Sequence, residues 1–147
     1  MKKAFDEFVK IEKDTNGYHY AQFMIGCCYN CGNGTDKDVT SAVEWYGKST
    51  AQGNSVAMCS LGTCYRLGDG VDEDLTKAFE LYEQSALLGD SQAMYNLGVC
   101  YQNGSGVAVD LNKAKVAYVK AAAQGHKDAQ EVLDELNAPP DAESDNE

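Results

Sequence analysis

No apolar run in the 147-residue chain approaches the ~20 residues that a membrane-spanning helix needs; the best stretch is Phe23 to Tyr29. Positive charge is also short. Twelve Lys and Arg stand against 23 Asp and Glu, a net charge of −11, which weighs against nucleic acid and against an anionic membrane as partners. The amino terminus, Met1 to Phe8, spreads its charges and has no apolar signal core. The six cysteines are therefore expected as reduced thiols, and the location as cytoplasmic. Proline occurs only as Pro139 and Pro140, and histidine only as His19 and His126. What remains is 44% apolar and 24% charged, ordinary for a soluble globular protein, and the length suits one domain with a real core.

The dominant signal is internal repetition. Shifted by 36 residues, the chain overlays itself: Ala21, Ala57, Ala93 and Ala129 align, as do Gly26, Gly62 and Gly98. Cys28, Cys64 and Cys100 follow the same step, each before a tyrosine (Tyr29, Tyr65, Tyr101). So do Asp38, Asp74 and Asp110, then Ala42, Ala78 and Ala114, then Tyr46, Tyr82 and Tyr118, and finally Gly53, Gly89 and Gly125. Each unit reads as two helices. In the first, helix A, Ala93, Leu97, Cys100 and Tyr101 fall at i, i+4, i+7 and i+8, one helical face. A Gly-x-Gly loop follows, its glycine suited to a left-handed C-terminal cap. The aspartate then stands as N-cap of helix B, which ends at Gly53, Gly89 or Gly125, again a cap glycine.

The ends fit this scheme. Ala4-Phe5 through Phe8-Val9 matches Ala78-Phe79 through Tyr82-Glu83, so the chain opens on a lone helix B; its link to Gly17 runs two residues longer than in later units. Ala129, Val132, Leu133 and Leu136 form a fourth, more acidic helix A that caps the stack. The expected organisation is a half repeat at 4–20, repeats at 21–56, 57–92 and 93–128, a capping helix at 129–137, and a disordered acidic tail at 138–147: eight helices and no strands. A single helix pair cannot hide its apolar stripe, whereas a stack can. Mid-helix Gly26, Gly62 and Gly98 each cost about 1 kcal/mol against alanine, so a partner helix is expected to approach closely there. Ala42, Ala78 and Ala114 serve helix B likewise, while the tyrosines, Trp45, Phe79 and Leu81 fill the space between layers.

These residues resemble the Sel-one-like repeat (SLR), a relative of the tetratricopeptide repeat. Unit two carries its pattern as Ala57, Leu61, Gly62, Tyr65, Gly68, Gly70, Val71, Asp74, Lys77 and Ala78, and unit three carries all ten positions from Ala93 to Ala114. Unit one is looser, with Ile25, Thr35 and Ser41 in place of Leu, Val and Lys. The resemblance covers roughly residues 4–137. It implies an all-α fold, a right-handed α-solenoid of stacked antiparallel helix pairs, and an adaptor that holds other proteins.

Chemistry has little purchase. The Gly-x-Gly loops lack the preceding strand and third glycine of a dinucleotide fingerprint and read as turns. Stacked helices lie ~8–10 Å apart, too far for disulfides among Cys28, Cys64 and Cys100, which need Cα atoms within ~7 Å; they read as core. Cys27 and Cys31, at i and i+4, project from one side of their helix. With Cys59 and His19 they are the one set that could complete a four-ligand zinc site or act as a redox pair, an alternative to the interaction reading. Asn33-Gly-Thr35 and Asn103-Gly-Ser105 are glycosylation acceptor patterns, relevant only in a secretory compartment. No nucleophile stands beside either histidine, and the carboxylates track outer faces and caps, so no enzyme and no cofactor is expected.

By analogy with tetratricopeptide solenoids, helices A line a concave groove. Its lining would be Tyr20, Phe23, Cys27, Asn30 and Cys31 in unit one, Cys59, Thr63 and Arg66 in unit two, and Tyr95, Val99, Gln102 and Asn103 in unit three. This lining is aromatic and amide-rich with almost no acid, inside an acidic shell. Aromatic, amide and Arg side chains suit a peptide or helix of a partner protein. Phe23, Arg66 and Tyr95 would anchor it; Asn30, Gln102 and Asn103 would hydrogen-bond. A passive spacer within a larger assembly is the remaining alternative.

Overall fold

The computed structural model of the protein describes residues 2–14 and 19–140. Among the described residues it contains eight α-helices and no strand: α1 (Lys2–Asp14), α2 (His19–Cys31), α3 (Val39–Ala51), α4 (Ser55–Leu67), α5 (Leu75–Leu87), α6 (Ser91–Asn103), α7 (Leu111–Ala123) and α8 (Lys127–Asn137). The even-numbered helices are the A helices and the odd-numbered ones the B helices. The substantial helix–helix contacts all run between consecutive helices, as a solenoid requires. Each A helix opens at 19, 55, 91 or 127, two residues ahead of the recurring alanines. Ala138 follows α8 in an extended conformation, and residues 141–147 of the expected acidic tail lie outside the described residues.

Local chemistry sets the helix ends. Asp38, Asp74 and Asp110 cap α3, α5 and α7, each carboxylate accepting from the backbone N–H three residues on at 3.0–3.1 Å. The A helices carry caps that repeat position but not residue type: Asn54 for α4, Asp90 for α6 and His126 for α8. Gly68 and Gly104 cap α4 and α6 in the left-handed region, at φ 65° and 70°. The B helices end one residue earlier than their glycines, on Gln52, Leu88 and Gln124, with Gly53, Gly89 and Gly125 following at positive φ.

The mid-helix glycines face the recurring tyrosines. A Cβ on Gly26 would come within 2.7 Å of the Tyr46 ring, on Gly62 within 2.9 Å of Tyr82, and on Gly98 within 2.5 Å of Tyr118. Each unit is thus locked by a tyrosine of its B helix whose ring packs against a bare stretch of its A helix. Tyr82 and Tyr118 are among the largest side chains to be fully buried. Fully buried Ser49 and Ser85 close the other end of the same pairing. Ser85 Oγ donates to the Ser55 carbonyl at 2.6 Å, and Ser49 Oγ donates likewise to the carbonyl of His19.

In units two and three the second glycine of the Gly-x-Gly loop joins the unit to the one before it. A Cβ on Gly70 would meet the Val39 carbonyl oxygen at 2.6 Å, and one on Gly106 would meet the Leu75 carbonyl. The loops therefore sit on the first turn of the preceding B helix. Edge-to-face aromatic pairs add to this stacking. Phe79 meets Tyr101 at 5.4 Å, and Phe5 meets Tyr29 at the same distance, despite the two extra residues in the first link.

Candidate functional site: the face of the A helices

The three locking tyrosines point their hydroxyls through the glycine gaps toward the A-helix face. Tyr46 donates to Cys27 Sγ at 3.8 Å. Thr63 Oγ1 gives its one hydrogen to the Cys59 carbonyl at 3.1 Å, so Tyr82 donates to Thr63 Oγ1 at 3.0 Å and accepts from Arg66 Nε at 3.3 Å. Tyr118 donates to Gln102 Oε1 at 2.7 Å. Cys27 and Thr63 share one repeat position, and Arg66 and Gln102 another. The result is a ladder of polar side chains on one face, each steadied by a buried phenol. Burial pushes the Tyr118 hydroxyl up to about 12, and raises Tyr46 and Tyr82 as well, so all three are neutral donors near pH 7.

A cavity of about 320 Å³ opens on this face between the first three A helices. It brings together Asn30, Cys59 and Thr63 of the expected groove and adds Asp69 and Gln92. The other nominated side chains lie outside that cavity. Tyr20 is 58% exposed at one end, and Cys31, Arg66, Gln102 and Asn103 are exposed. Phe23 is half-buried, 5.8 Å from the Tyr46 ring, and Val99 packs partly against the Tyr118 cluster. Cys59 is only 6% exposed, so it contributes to the floor rather than the lining. Arg66, the single arginine of the chain, is exposed and donates from Nε to the Tyr82 hydroxyl.

Tyr95 is fixed from one side by His126, whose ring stacks on it at 4.7 Å and 14°. His126 Nδ1 accepts the Ala129 N–H at 3.3 Å as the cap of α8, so Nε2 carries the hydrogen and donates to Gln92 Oε1 at 3.0 Å. The sequence reading missed Gln92 and His126 in this role. Its available signal was the cap position shared by Asn54, Asp90 and His126.

The thiols divide by burial. Cys28, Cys64 and Cys100 are all buried in the inward stripe. Among the described residues, no three His, Cys, Asp or Glu side chains come together as a metal ligand set, and Cys59 instead accepts from Asn96 Nδ2 at 3.5 Å. Burial, reinforced by the charge of Asp90, pushes the Cys59 thiol up to about 12. Burial raises Cys27, Cys28, Cys64 and Cys100 as well. The sign follows directly. An unfolded thiol ionises near ~8.5, whereas these resist ionisation in the folded chain, so their contribution is intact below ~8.5 and is lost as pH climbs toward the folded values. For Cys59 the loss approaches about 1.4 kcal/mol per pH unit within that window. Urea unfolding in reductant should therefore show a lower midpoint at pH 10 than at pH 7, and Cys59→Ala should flatten the decline. At neutral pH iodoacetamide should label exposed Cys31 first; equal labelling of Cys59 would contradict its burial.

Comparison with known proteins follows the same lines. The family model of the Sel1 repeat matches residues 19–54, 55–90 and 91–126, in phase with the observed helix starts, and the chain belongs to the Sel1-repeat family. A Sel1 repeat protein from Oxalobacter formigenes is 32% identical, with a TM-score of 0.85 over 93% of this chain and 55% of its own. A protective antigen of uropathogenic Escherichia coli strains, described as displaying an SLR fold, is 30% identical, with a TM-score of 0.84 over 89% of this chain and 28% of its own. The chain thus spans about half and about a quarter of those two proteins' lengths. Helicobacter pylori cysteine rich protein B shares the fold at 21% identity, with a TM-score of 0.71 over 90% of this chain and 97% of its own. No curated protein matches the chain in sequence. Sel1-repeat proteins are in general protein-interaction modules. Among the described residues no helix is long and apolar enough to cross a membrane.

Proposed function

We propose that this protein is a non-catalytic adaptor that holds a peptide or helix of a partner protein along the A-helix face. The observation that supports the reading is the tyrosine-steadied ladder: Cys27, Thr63, Arg66 and Gln102 recur on one face, each tied to a buried phenol. Side chains already held in place lose little freedom on binding, so their hydrogen bonds retain more of their value. Between them Phe23 and Tyr95 offer half-buried aromatic surface, and the Arg66 guanidinium offers free N–H groups for backbone carbonyls or a carboxylate.

The test is capture of the partner from the native source. Changing Phe23, Arg66 and Tyr95 together to alanine should abolish capture, with helical content checked by circular dichroism because Phe23 and Tyr95 also touch Tyr46 and Tyr118. Arg66→Glu alone reverses an exposed charge and removes one hydrogen bond to the Tyr82 hydroxyl, so it should weaken capture strongly while lowering the melting temperature only slightly. Capture that survives both changes removes this face as the site.

A further inference from the structure

The opposite face carries a second opening, larger than the first. Between α5 and α7, above α6, lies a cleft of about 650 Å³. Its origin is a missing side chain. The repeat position held by Trp45 in unit one and by buried Leu81 in unit two is Ala117 in unit three. The neighbouring position, Glu44 and then Glu80, becomes Val116. The floor responds: Met58 and Leu61 of α4 are buried, whereas their counterparts Met94 and Leu97 of α6 are only half-buried and line the cleft. Leu87 stands at the α5 edge 83% exposed. Unit three has thus uncovered an apolar trough that unit two keeps filled.

The charge beside it is equally uneven. In a chain of net charge −11, α7 carries Lys113, Lys115 and Lys120 and no carboxylate. Lys113 and Lys120 line the cleft, and Glu83 is the one carboxylate that lines it from α5. We infer that this cleft is a docking site for an acidic amphipathic helix of another protein, separate from the A-helix face. The floor calls for apolar side chains on one helical stripe, and the lysine wall calls for carboxylates flanking them. A second copy of this chain is a poor occupant because its own acidic amphipathic helix, α8, already buries Ala129 and Leu133 against α7. The segment 141–147 has the carboxylates but offers only Ala142 to the floor. An anionic lipid surface would meet the lysines but leave Met94 and Leu97 on the cleft floor uncovered.

The experiment uses a fluorescein-labelled synthetic helix with leucines at i, i+3, i+4 and i+7 flanked by glutamates, followed by fluorescence anisotropy against the full chain. A counterpart with lysine for every glutamate, and phosphatidylserine vesicles, serve as the other probes. The acidic helix should bind, and the basic one should not. Ala117→Leu restores the side chain of unit two, fills the cleft and leaves the charge unchanged; it should weaken binding about tenfold or more. Lys113→Glu with Lys120→Glu should weaken it comparably, while Arg66→Glu on the other face should leave it unchanged. Absence of acidic-helix binding, binding indifferent to Ala117→Leu, or lysine-dependent binding to vesicles but not to the helix would each overturn the inference. An Arg66→Glu variant that keeps this binding but loses partner capture would separate the two faces.

Discussion

Replacing Gly106 by alanine is expected to lower stability on the order of 3 kcal/mol, against about 1 kcal/mol for the same change at Gly89. Both glycines sit at positive φ, 72° and 96°, where an alanine Cβ is disfavoured by roughly 1–2 kcal/mol. They differ in what surrounds them. Nothing lies within 4 Å of a Cβ built on Gly89, whereas one on Gly106 would strike the Leu75 carbonyl and the backbone that follows it. Relief would require the loop between α6 and α7 to lift off the first turn of α5, loosening the joint between units two and three. Urea unfolding of the two variants measures the difference. Equal losses would mean that the loop does not rest on α5 as described.

The second large effect is at Tyr82. Truncation to alanine should cost about 4 kcal/mol, because a fully buried ring is removed between two helices and the cavity cannot collapse onto a bare glycine stretch. Tyr82→Phe should cost nearer ~1 kcal/mol, since it removes only the hydroxyl that bonds Thr63 and Arg66. The pairing with Gly62 makes the sharper test. In the native background Gly62→Ala places a methyl 2.9 Å from the Tyr82 ring, and overpacking of about 1–3 kcal/mol exceeds the ~1 kcal/mol gain in helix propensity. In the Tyr82→Ala background the ring is gone and the remaining close atom, the Ala78 carbonyl oxygen at 3.3 Å, has to give only slightly, so the same change should stabilise. A double-mutant cycle that shows no change of sign would refute the locking role.

Much of this was legible in the sequence because repetition turns one chain into its own comparison. The glycines at 26, 62 and 98 declared a close approach, and the structure supplied the object approached, the tyrosine ring twenty residues on. The aspartate caps were legible because residue type and spacing agree. The A-helix caps were not, because Asn54, Asp90 and His126 do the same work with three different acceptors. Nor could spacing tell which side chain each phenol would meet: Tyr46 reaches Cys27, Tyr118 reaches Gln102, and Tyr82 reaches both repeat positions through Thr63 and Arg66. That choice depends on side-chain length and donor chemistry in three dimensions. The B-helix cleft escaped for a different reason. A cleft is made by volume that is absent, and Ala117 looks unremarkable until it is set beside Leu81 and Trp45.

The restriction of substantial contact to consecutive helices has a mechanical consequence. A molecule so coupled has no central keystone whose loss frees everything at once. Tension applied to its two termini is passed along link by link, and the weakest link yields while the others hold. Drawn out, the chain would lengthen in steps, one hairpin peeling at a time, and on release would rewind from whichever link survived.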